Sequence, residues 1–219
     1  MHLETTETHA SLALALVPPG NVLRDLATLR GKLFTLNSLQ GSRAWFDFPV
    51  LAWLGRCIDG GTLAGFASDL RNPLDFGPLR WEGNFLVLPV SGGFFPAVLP
   101  ELSRYTIQRP TPGTGTGTGS VRGNWCHGPF PAGKGLVCAA LAPQAVQGGT
   151  AGTGKEAVLA EAARLAGEPP RATVYSLALV EMHWYPGPDY GSSWAILSSA
   201  IAGNVRNAAR PVTVDSNRA

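Results

Sequence analysis

"SLALALVPPGNVLRDLATLRGKL", residues 11–33, carries the first strand and the first helix of the chain, and its reading sets the fold class. The apolar run from Leu12 to Val17 is stopped by Pro18 and Pro19, and no basic segment precedes it. It therefore reads as a strand rather than a secretory leader. Beyond the prolines, Val22, Leu23, Leu26, Leu29, Leu33 and Phe34 recur at helical spacing and form one apolar stripe. Asn21 is placed to cap the N-terminus, and Asp25 lies near the positive end of the helix dipole.

Outward from this unit the same grammar continues. "FDFPVLAWLG" (46–55) reads as a buried strand ending at Gly55, with Pro49 marking a strand start or a sheet edge. "GTLAGFASDL" (61–70) puts Leu63, Phe66, Ala67 and Leu70 on one side of a short helix. "PLRWEGNFLVLPV" (78–90) predicts a strand pair, or one long strand bent near Gly83, and "FPAVLPELSRY" (95–105) a further short helix. The stretch "QRPTPGTGTGTG" (108–119) holds no core-forming residue and reads as a surface loop. Past it come the strand "GLVCAALA" (135–142), a glycine-rich loop, the helix "KEAVLAEAARLAG" (155–167) and the strand "ATVYSLALVEMHWY" (172–185). "SSWAILSSAIAG" (192–203) is open to either a strand or a short helix.

With 219 residues, 45% of them apolar and 15% charged, the chain has material for a sizeable core and a lightly charged surface. This excludes a solvated disordered chain. A net charge of +2 gives no electrostatic footprint for nucleic acid, although 17 basic residues leave room for a local patch. Cys57, Cys126 and Cys138 form neither a disulfide framework nor a metal clamp, which fits a cytoplasmic protein without a metal or other cofactor. No run of about 20 apolar residues predicts a membrane span.

One motif needs weighing against this background. In "QGGTAGTGKEA" (147–157), Gly149, Gly154 and Lys155 have the spacing of a phosphate-cradling loop, but Glu156 stands where such a loop carries the Ser or Thr that binds magnesium. Too little chain follows for the crossover units of a nucleotide triphosphatase, so the glycines read as a lead-in to the next helix.

The order of elements resembles that of the two-histidine phosphoesterase superfamily, which includes the 2′-5′ RNA ligase-like proteins and cyclic nucleotide phosphodiesterases. The echoes are "SLALALVPPGNVLRDLATLRGKL", "FPVLAWLG" against the family's H-x-T-L-x-F-L-G, and "VYSLALVEMHWYPGPDYGSSWAIL", over roughly residues 10 to 201. The resemblance implies an α+β fold spanning 1–219 as a single domain. Its two pseudo-symmetric lobes of antiparallel sheet, backed by helices, would enclose a central cleft, with the lobe boundary at 108–120. It also implies one H-x-T pair per lobe, since residues i and i+2 of a strand share a face. Here the first pair falls on Phe48 and Val50, and the second on Leu136 and Cys138, or on Lys134 and Leu136. The proton-transferring imidazoles of the family are absent from all of these positions. The implied function is that of a non-catalytic relative that binds a nucleotide or single-stranded RNA end in its cleft.

Two other readings stay open. Catalysis by non-family residues would draw on His183, His127, Tyr185 or Lys134, with Glu181, His183 and Tyr185 sharing one strand face. A protein-interaction site would instead leave Phe48, Val50 and Leu136 solvent-accessible. The aromatics Trp45, Trp81, Trp125, Trp184, Tyr185, Tyr190 and Trp194, with Arg43, Arg80, Arg122 and Lys134, would suit base stacking and phosphate contact, or equally an ordinary core with a basic rim.

Overall fold

The computed structural model describes residues 9–41, 45–70, 73–91, 101–106, 131–133, 135–142, 151–185 and 191–203. In chain order its elements begin with β1 (His9–Val17), α1 (Gly20–Leu33), β2 (Leu39–Gln40), β3 (Val50–Leu54) and α2 (Gly60–Ser68). Next come β4 (Leu74–Phe76), β5 (Arg80–Glu82), β6 (Phe85–Leu88), β7 (Val90–Ser91) and β8 (Leu136–Leu141). The series closes with α3 (Ala151–Ala166), β9 (Arg171–Ala172), β10 (Ser176–Tyr185) and β11 (Gly191–Ile201). The strands form two four-stranded sheets, ordered β11-β10-β1-β3 and β2-β8-β6-β5, and a three-stranded sheet ordered β7-β4-β9. All named strand pairs are antiparallel, so the architecture is α+β.

Alternation gives the first sheet two apolar faces. Leu12, Leu14 and Leu16 of β1 join Leu177 and Leu179 of β10 and the stripes of α1 and α2 in the larger core cluster. Ala13, Ala15, Ala178, Val180 and Met182 point the other way into a second cluster, which also takes Val87 and Val137 from the second sheet. Helix α1 packs against β8 and α3, while α2 packs against β10 and β11.

Strict alternation fails at three places, in β3, in β8 and in β11, where Leu179 pairs with Ser198 but Val180 with Ile196. In β3, Leu14 pairs with Ala52 but Ala15 pairs with Val50, so Leu51 is an extra residue. In β8, Leu86 pairs with Ala139 but Val87 pairs with Val137, which makes Cys138 the extra one. Each is a β-bulge, and each shifts the facing of the residues before it by one position.

Local chemistry explains most element boundaries. Asp59 caps α2, its Oδ1 accepting from Thr62 N at 2.9 Å and its Oδ2 from Thr62 Oγ1 at 2.6 Å. Helix α1 starts one residue before the expected cap. Pro19 occupies the N-cap position without a side-chain bond, so Asn21 lies inside the first turn. Phe34, expected on the buried stripe, is the C-cap residue and is exposed. The segment 78–90 is a strand pair, β5 and β6, turning at Gly83 with φ +61°. The segment expected as one strand over 172–185 is divided into β9 and β10, and 192–203 is mainly strand, paired as a hairpin with β10. Expected features at 92–100 and 108–120 lie outside the described residues.

Gly135 enters β8 with φ +123°, and a Cβ there would meet Leu88 O and lie 2.6 Å from Pro89 Cα. Gly65, inside α2, has nothing within 4 Å of its would-be Cβ. Gly135→Ala is therefore expected to lower unfolding stability by more than about 1 kcal/mol. Gly65→Ala is expected to raise it by up to about 1 kcal/mol, both read from urea unfolding midpoints at constant m-value.

Candidate functional site

The segment before β3 crosses the second apolar face of the first sheet. Phe46 and Phe48 stack there with ring centroids 4.7 Å apart, and both meet Trp194 of β11 edge-on, at 5.7 and 5.3 Å. Trp53 completes the group at 6.5 Å from Phe46. Ala13, Ala15 and Ala178 make this possible, because small side chains on the sheet surface leave room for rings above them. The position that the family pattern gives to its first histidine is thus Phe48, 2% exposed, with Val50 at 1%.

Leu136 and Cys138 share a face of β8, as their spacing predicts, but it is the face turned to the helices and the larger core. The residue of β8 that joins Phe48 and Val50 is Val137. The physical reason is the bulge at Cys138, which sequence spacing does not reveal. Leu136 is 1% exposed, so Phe48, Val50 and Leu136 are all buried and offer no open apolar docking surface. Burial pushes the Cys138 thiol up to about 11, which keeps it neutral and unreactive.

His183 faces away from this cluster. It alternates with buried Met182 and lies, with Glu181, on the side of β10 that carries Leu177 and Leu179. Its Nε2 is 3.5 Å from Glu181 Oε1, both side chains being partly exposed. Tyr185 ends the same strand. Lys134, His127, Arg43, Arg122, Trp125 and Tyr190 lie outside the described residues. Arg80 pairs with Glu82 at 2.9 Å, and Trp81 packs on the larger core.

The glycine motif is not a loop from Ala151 onward, where α3 already runs. Lys155 Nζ donates to Gly83 O at 3.1 Å and to Asn84 Oδ1 at 3.0 Å, while Trp81 Nε1 donates to Lys155 O at 3.0 Å. This lysine holds the β5–β6 turn against the helix. Among the described residues no group of three or more His, Cys, Asp or Glu side chains could hold a metal ion, and no helix is long and apolar enough to cross a membrane.

A polar site adjoins the aromatic stack. Arg30 falls on the buried stripe of α1, four residues after Leu26. Its Nη2 donates to Phe46 O and, at 2.6 Å, to Val137 O; its Nη1 donates to Asp47 Oδ1 at 2.5 Å. Nε is left as the buried side-chain nitrogen without a partner among the described residues. Burial lowers the pKa of this guanidinium and Asp47 opposes the shift, yet arginine stays cationic in proteins. The Arg30 side chain is 9% exposed, whereas that of Asp47 is 51% exposed. Over this pair lies a broad cavity of about 710 Å³, largely open to solvent, lined by Arg30, Asp47, Phe34, Gln40, Gly41 and Trp45. The ring of Phe34 occupies the space where a Cβ on residue 41 would sit, so glycine there shapes the wall. Trp45 is held from the far side by an edge contact with Phe85 at 6.0 Å.

Spacing gives no sign of this site. The available signal is an arginine at a stripe position of an amphipathic helix, where a charge is retained only with partners. Comparison with protein-family models, curated proteins and solved structures finds no match.

Removing Arg30 takes a charged donor away from both Phe46 O and Val137 O, each lost bond costing roughly 1–3 kcal/mol. Arg30→Met is accordingly expected to destabilise the fold by about 2–4 kcal/mol, and Asp47→Asn by less, since both carbonyl bonds persist. Chemical denaturation of the two variants side by side checks the ranking.

Proposed function

We propose that this chain is a non-catalytic binding protein, a two-histidine phosphoesterase-like scaffold of two lobes that takes a nucleotide or an RNA end. The scaffold reading is supported by two four-stranded antiparallel sheets that contribute to one shared apolar cluster, with the first and last strands of the described chain in the same sheet. Loss of catalysis is supported at the position of the first family histidine, where Phe48 stacks on Phe46 against Trp194. Neither ring exchanges a proton, and His183 belongs to the opposite face.

The single observation that carries the binding reading is the Arg30–Asp47 pair. A half-exposed carboxylate is tethered to a buried guanidinium, and both line an open cavity together with Trp45 and Phe34. A volume of this order suits a small organic ligand. An aromatic wall beside a fixed polar group is the combination that recognises an unstacked base. The ligand therefore sits beside the closed aromatic stack rather than on the positions of the family's catalytic pair.

Titration with 5′-mononucleotides and with short oligonucleotides ending in 2′,3′-cyclic phosphate, followed by tryptophan fluorescence at low salt, is expected to give saturable binding without hydrolysis. Trp45→Ala is expected to weaken it about tenfold or more, the usual worth of one base–aromatic stack. No saturable binding, or turnover of the cyclic phosphate, counts against the reading.

A further inference from the structure

We infer that the cavity over Arg30 and Asp47 selects a guanine base, an inference that rests on the nucleotide-binding reading above and gives it a ligand. Asp47 is the carboxylate of the cavity, and an ionised carboxylate only accepts hydrogen bonds. Oδ1 takes the Nη1 donor of Arg30 at 2.5 Å, which tethers the carboxylate through one oxygen and leaves Oδ2 for a ligand. A carboxylate has about four lone-pair sites, so Oδ1 also keeps acceptor capacity. The cavity thus offers two adjacent acceptors on a carboxylate tethered by Arg30 and reachable from solvent.

Among the common bases, guanine presents two adjacent donors on its Watson–Crick edge, N1–H and the 2-amino group. Adenine presents the ring nitrogen N1 as an acceptor there, and its lone pair would face a carboxylate oxygen. Uracil flanks its one donor, N3–H, with two carbonyl acceptors, and cytosine sets its 4-amino donor beside two acceptors, N3 and O2. Gln40 also lines the cavity, and its exposed side-chain amide is a donor of the kind that guanine O6 requires. Trp45 and Phe34 provide apolar surface for the faces of a purine. Because Arg30 neutralises Asp47 from beneath, the site does not repel a ligand that carries a phosphate elsewhere.

Calorimetric titration of the full chain with guanosine, inosine and adenosine 5′-monophosphates separates the possibilities. Guanosine monophosphate is expected to bind at least about tenfold more tightly than adenosine monophosphate, the usual discrimination of a bidentate base contact. Inosine monophosphate, which keeps N1–H and lacks the 2-amino group, should fall between them. Equal affinity for the guanine and adenine nucleotides overturns the guanine assignment and leaves nucleotide binding standing, whereas absence of binding by all three overturns both. Asp47→Asn keeps an oxygen for Arg30 and turns an amide donor toward the ligand. It should shift the preference from guanosine to xanthosine monophosphate, whose 2-oxo group accepts. An unchanged preference in a variant that still unfolds cooperatively also overturns the assignment.

Discussion

One guanidinium joins segments that the sequence keeps far apart. Arg30 leaves α1, closes on the carbonyls of Phe46 and Val137, and takes Asp47 as its counter-ion, reaching across 107 positions of sequence to β8. Backbone acceptors in a protein interior need donors, and Arg30 supplies one to each of these two carbonyls. Since the same side chain tethers Asp47, the anchoring of the segment before β3 and the geometry of the cavity are consequences of one set of bonds.

The aromatic group beside it follows from that anchoring. With the carbonyl of Phe46 pinned, the rings of Phe46 and Phe48 lie over a sheet surface kept low by Ala13, Ala15 and Ala178, and Trp194 closes the far side. Such an environment is dry and has a low dielectric constant, and acid–base chemistry at Phe48 has no group to perform it. What reaches solvent is the half-exposed Trp194 and the margin: the carboxylate of Asp47, the wall at Trp45, and Phe34 at the end of α1. Polar function, if placed anywhere near this stack, has to be read at its edge.

Much of the fold is legible in the residues themselves. The leucines of β1 and the stripe of α1 announce a strand and a helix because their periods differ, and the cap at Asp59 and the turn at Gly83 mark ends that local chemistry enforces. The facing of Leu136 and Cys138 is not legible, because a bulge leaves no trace in composition and alternation alone cannot tell which of two apolar faces a strand will show to which partner. The candidate site is hidden for a related reason. Arg30 differs from its exposed neighbours only by lying in line with Leu26 and Leu33, and Asp47 lies among phenylalanines with no motif around it. Their meeting is a tertiary event.

The bulges in β3 and β8 have a wider significance for how this sequence tolerates length change. Val50 and Phe48 reach the aromatic side because Leu51 is counted once in the chain and not at all in the ladder, and Val137 reaches it because Cys138 is treated likewise. Deleting either residue would leave composition and hydropathy almost untouched while exchanging inner for outer along the preceding stretch. For these two strands, then, arithmetic is as much a part of the encoded information as chemistry: how many residues intervene settles which side of the protein they build.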